Sequence, residues 1–120
     1  MWIFTESGFV SAVRKADNPS VLTVRSRDKQ SLEQLAQEAG VQIAQSPDAD
    51  YPYRVFVEQE VFAQWAFEQS MAVSYNNFKN RVAKSRGYEF ASALGNVWVA
   101  MLKVEDEQAR TNEKTAVSNV

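Results

Sequence analysis

The sequence predicts an α+β fold: an antiparallel or mixed sheet of four to five strands, a strand-rich N-terminal half, and three helices in the C-terminal half packed on the sheet. Three observations predict it. Apart from one helical stretch, apolar and polar residues alternate with a period near two up to Glu58, and the apolar period then lengthens toward four. Strands and helices are therefore segregated, whereas a doubly wound parallel sheet needs them to alternate throughout. Finally, a chain of 120 residues that is 45% hydrophobic and 12% aromatic supplies one core and no second one. The expected organisation is a single domain over residues 1–104 and a polar, disordered tail over 105–120.

The elements follow in order. Trp2 to Thr5 and Phe9 to Lys15 flank Glu6-Ser7-Gly8, a turn cluster with a glycine free to take positive φ, so they read as a hairpin. Asp17-Asn18-Pro19-Ser20 is a second turn, because Pro19 lacks the N–H that a paired central strand needs. Val21 to Arg27 is the third strand, with Leu22 and Val24 on one face and Thr23, Arg25 and Arg27 on the other. Ser31 and Gln34 have capping-box spacing ahead of the apolar positions Leu32, Leu35, Ala36 and Ala39, and Gly40 ends that helix. Val41 and Ile43 mark a short edge strand. Tyr53 to Glu58 is the next, with Arg54, Phe56 and Glu58 sharing a face.

Beyond Glu58, Val61, Phe62, Trp65, Ala66, Gln69 and Ala72 line a helix that runs to about Met71. Ser74 or Asn76 opens another, which Gly87 stops after Arg86. The last begins at Tyr88, carries Phe90, Leu94, Val97, Trp98 and Met101 on one stripe, and is expected to end near Val104. Trp65 and Trp98 are expected to be core anchors. From Glu105 onward the composition is almost wholly polar.

Composition removes many chemistries. With no Cys and no His, the chain has no disulfide scaffold, no thiol nucleophile, no imidazole base and no Cys or His zinc site. Its four glycines, at 8, 40, 87 and 95, form no phosphate-binding loop, and no serine has a convincing lysine partner. No enzyme, cofactor or metal is expected. The start lacks a basic segment and a long apolar run, so a cytoplasmic location without membrane association is expected. The net charge of -2 hides segregation: residues 1–27 carry +2, 28–68 carry -6, 69–104 carry +4 and 105–120 carry -2.

Three constellations are candidate sites. Asp48, Asp50, Glu58 and Glu60 resemble a loop-plus-strand magnesium cluster, but the position where such sites place a lysine is Glu60, and acidic residues are common in turns. The face bearing Arg25, Arg27, Arg54 and Phe56, with Thr23 and Arg14 nearby, offers guanidinium groups and a ring suited to phosphates and bases. Pairing with Glu58 and Glu60 is the simpler account. Tyr75, Asn76 and Lys79 lie in an Asn-rich helix start whose N–H groups could meet a phosphate, although an ordinary cap explains the same residues.

The opening MWIFTESGFVSAV, the VRSR strand, PDADYPYRVFV, SYNNFKNRV and the late VW pair resemble a small family of uncharacterised bacterial and bacteriophage proteins. The resemblance spans roughly residues 1–102 and departs from the shorter members around Ser85 to Phe90 and in the longer polar tail. It implies a cytoplasmic, phage-linked setting and no catalytic residue or ligand. The expected function is therefore a non-enzymatic protein-binding or regulatory module, self-association included. The alternative is a nucleic-acid-associated protein that uses the basic sheet face.

Overall fold

The computed structural model describes residues 1–47, 49–74 and 78–118. These residues form five strands and four helices: β1 (Trp2–Thr5), β2 (Gly8–Lys15), β3 (Asn18–Ser26), α1 (Gln30–Ala39), β4 (Ala44–Gln45), β5 (Tyr53–Val57), α2 (Gln59–Met71), α3 (Phe78–Arg86) and α4 (Tyr88–Ser118). The strands form one antiparallel sheet in the order β1-β2-β3-β5-β4, so the fold class is α+β. The chain divides into two compact units, Met1–Phe78 and Lys79–Val120.

In the first unit, the side-chain alternation of the strands sends Val10, Ala12, Val24, Val55 and Val57 to one face. Leu32, Leu35 and Ala36 of α1 and Phe62 and Trp65 of α2 close over them. Trp65 is 1% exposed, as expected of an anchor. The Phe62 and Trp65 rings lie 5.7 Å apart. The α1 helix ends at Gly40, whose φ of 66° is the left-handed conformation that glycine adopts without a Cβ penalty.

Ser31 does not cap α1. The N-cap is Lys29, with no side-chain cap bond. The Ser31 hydroxyl instead accepts from the Phe9 N–H at 3.1 Å and donates to Asp28, while Ser26 Oγ donates to the Phe9 carbonyl at 2.7 Å. Two buried serines thus fasten β3 and the start of α1 to one residue of β2, a tertiary use that a capping motif does not reveal. β3 also begins earlier than the sequence suggests. Its register shifts between Val13 and Lys15, so Pro19 falls where the β2–β3 ladder is irregular and no N–H is needed.

In the second unit, α3 and α4 meet at Gly87, with φ 94°. The Lys79 ammonium lies 5.3 Å from the centre of the Trp98 ring and the Arg86 guanidinium 4.1 Å from that of Phe90. α3 therefore doubles back along the first three turns of α4. Two expectations are corrected here. Trp98 is not a buried anchor: it is 61% exposed. Residues 105–118, expected as a disordered tail, continue α4 as helix, because extending a formed helix adds a hydrogen bond for each residue fixed. Local pairs follow: Arg110 with Glu107 at 2.8 Å and Gln108 with Asn112 at 3.1 Å.

Candidate functional site

Two surfaces stand out, one in each unit. The first is the sheet face opposite α1 and α2. Alternation places Trp2, Phe4, Phe9, Ser11, Thr23, Arg25, Arg54 and Phe56 there. One rung crosses all five strands as Trp2–Ser11–Arg25–Arg54–Ala44, so Arg25 and Arg54 are direct cross-strand neighbours. The next rung pairs Thr23 with Phe56, which is 43% exposed.

Tyr51 organises the arginines. The guanidinium groups of Arg25 and Arg27 lie 4.5 and 4.6 Å from its ring centre. Arg25 donates to Ser11 Oγ at 2.9 Å, Arg27 to the Asp50 carbonyl at 2.7 Å, and Arg54 to the Tyr51 carbonyl at 3.4 Å. Every acceptor is neutral. Among the described residues none of these three arginines meets a carboxylate, so pairing with Glu58 or Glu60 is not what neutralises them. Aromatic rings extend the face, with Phe9 stacked on Phe4 at 4.6 Å and 6.5 Å from Tyr51.

Like charges directly opposite one another on a sheet are destabilising. Here Thr23 Oγ1 and the Nε atoms of Arg25 and Arg54 are also buried without a hydrogen bond. The structure thus brings together Arg25, Arg27, Arg54 and Phe56. It separates Arg14, which donates to the Pro19 carbonyl at 2.8 Å and to Gln59 at the start of α2. Tyr75 and Asn76 lie outside the described residues, as does Asp48 of the acidic cluster. Lys79 is exposed in the second unit, over Trp98. Among the described residues no three acidic groups converge as metal ligands, and no helix is long and apolar enough to cross a membrane.

The second surface is α4 itself, which sequence reasoning assigned to the core. From Asn96 to Thr115 every residue of the helix is exposed, and Val97, Trp98, Val99, Met101, Leu102 and Val104 form an apolar band within that stretch. The signal present in the sequence is the spread of Val97, Trp98, Val99, Met101, Leu102 and Val104 around more than half of the helix circumference, wider than one core-facing stripe.

A groove of about 460 Å³ also opens beside the edge strand β1, lined by Ile3, Phe4, Ala66, Gln69, Val73 and Phe78. Comparison with family models, curated proteins and solved structures gives no match to this chain. The chemistry of these surfaces is therefore what speaks to function.

Proposed function

We propose that this protein is a cytoplasmic, non-enzymatic protein-binding module whose interaction element is α4. One observation carries the proposal: a helix of 31 residues presents six large apolar side chains, between 38% and 61% exposed, within two turns. Such a concentration on a solvated helix is the mark of an interaction surface. Helices also gain most of their stability from packing, and the bonds of the distal part of α4 include local ones, the Thr111 and Thr115 hydroxyls bonded back to carbonyls one turn earlier. A partner along α4 supplies the packing. A photo-crosslinking amino acid at position 101, in cells producing the protein, should yield discrete protein adducts, whereas one at position 106 should not. Absence of any protein adduct from position 101 contradicts the proposal.

The unpaired Arg25–Arg54 rung favours a second reading, binding of nucleic acid on the sheet face. A phosphate laid across the two guanidinium groups would relieve their repulsion, and the exposed Phe56 supplies a ring for stacking. Three phosphate contacts on a single strand give a log–log salt slope of about -2. Fluorescence anisotropy with a labelled oligonucleotide tests this reading: a steep slope that Arg25→Ala with Arg54→Ala abolishes supports it, and no binding at low salt rejects it.

A further inference from the structure

The partner of α4 follows from the spacing and flanks of its seam. Phe90, Leu94, Val97, Met101 and Val104 recur at alternating intervals of four and three, and Gln108, Thr111 and Thr115 continue the same positions. A 3.5-residue repeat keeps one seam facing a second helix as the two wind around each other. The proximal end of this seam is already occupied, with Phe90 under Arg86 and Leu94 half-buried. From Val97 onward it is open.

We propose that the helix filling it is α4 of a second copy of this chain, aligned parallel and in register, with Val97, Met101 and Val104 as apolar layers and Gln108, Thr111 and Thr115 as polar ones. This rests on α4 being the interaction element. Selection of a different partner helix is ordinarily written in the charges that flank the seam. Here Ala93, Trp98 and Ala100, which flank Val97 and Met101, carry none, and Val104 has Glu105 beside it. Parallel pairing sets Ala93 beside the partner's Trp98, Ala100 beside the partner's Glu105 and Glu107 beside the partner's Asn112, so no like charges meet.

Orientation follows from polarity. In parallel register each apolar layer meets its own kind, and Gln108 meets Gln108 of the second copy, where a polar pair at a seam position fixes alignment. A full antiparallel overlap would set Gln108, Thr111 and Thr115 against the apolar layers and bury polar groups without partners.

Sedimentation of the full chain over a range of concentrations, combined with disulfide trapping, tests this directly. The chain has no cysteine, so Gln108→Cys introduces the only thiol, and Asp106→Cys provides an outward-facing control on the same turn. A monomer–dimer equilibrium is expected, with oxidation giving dimer from Gln108→Cys but not from Asp106→Cys. Met101→Glu should weaken association by more than about tenfold, since it places like charges in an apolar layer. A monomer at every concentration overturns the self-pairing, while adducts of position 101 with another protein would still uphold α4 as the interaction element. A dimer that resists Met101→Glu, or one trapped at 106 and not at 108, overturns the seam.

Discussion

Trp65 and Trp98 sit on apolar helix stripes of the same kind, yet one is 1% exposed and the other 61% exposed. The difference lies in what each helix faces. Trp65 points from α2 into a layer prepared by Val10, Val24, Val55 and Val57, beside the equally buried Leu32 and Leu35. Trp98 has an ammonium over its ring and most of its surface open to solvent. Periodicity therefore shows that a helix has an apolar face; it does not show whether its own chain covers that face.

The largest expected effect breaks this comparison most sharply. Trp65→Ala should cost about 3–5 kcal/mol and lower the urea midpoint of the first unit strongly, as removal of a fully buried ring does. Trp98→Ala, measured in dilute solution, should change the stability of the second unit by less than about 0.5 kcal/mol, the ordinary range for a surface substitution. Comparable losses from the two variants would show that both rings are buried.

A smaller effect, of opposite sign, is expected on the sheet. Arg54→Gln removes one of two like charges on a shared rung, and it should stabilise the first unit by about 0.2–1 kcal/mol, read as a rise in melting temperature. A drop in melting temperature would mean that the Arg54 bond to the Tyr51 carbonyl outweighs the repulsion.

The smallest effect is a pH dependence where α1 meets α2. Desolvation, then a hydrogen bond with Glu68 and the charge of Glu68, holds the Glu38 carboxyl above its ordinary range. A raised folded value means that folding favours the protonated form, so this site's stabilisation is full below the ordinary carboxylate range of about 4.3 and is lost as pH rises through the folded value. Glu38→Gln should therefore raise the melting temperature slightly at neutral pH and leave it unchanged in acid. A gain of equal size at both pH values would exclude the titration of Glu38 as its cause.

Much of the fold was legible because local rules and tertiary structure agree in the first unit. Alternation located the strands, and Gly40 ended α1 where a left-handed residue was required. The face shared by Arg25, Arg27, Arg54 and Phe56 followed from alternation alone. What escaped was tertiary. Ser31 has the spacing of a cap, but its hydroxyl is engaged by Phe9 and Asp28. Tyr51, the ring that gathers two arginines, sits in a turn-rich stretch where no periodic pattern points to it. The composition of residues 105–118 suggested disorder because composition cannot register that the helix already formed before them extends through them.

Fluorine NMR of the fluorotryptophan-labelled chain tests the exposed α4 face most directly, since its three tryptophans, at 2, 65 and 98, report separately without altering the core. The Trp65 resonance should show no H2O/D2O isotope shift at any concentration. The Trp98 resonance should show a full shift in dilute protein and lose it as the concentration rises and a second copy covers α4. A Trp98 resonance protected even in the most dilute sample would mean that its own chain buries it, and would contradict the assignment of α4 as the interaction surface.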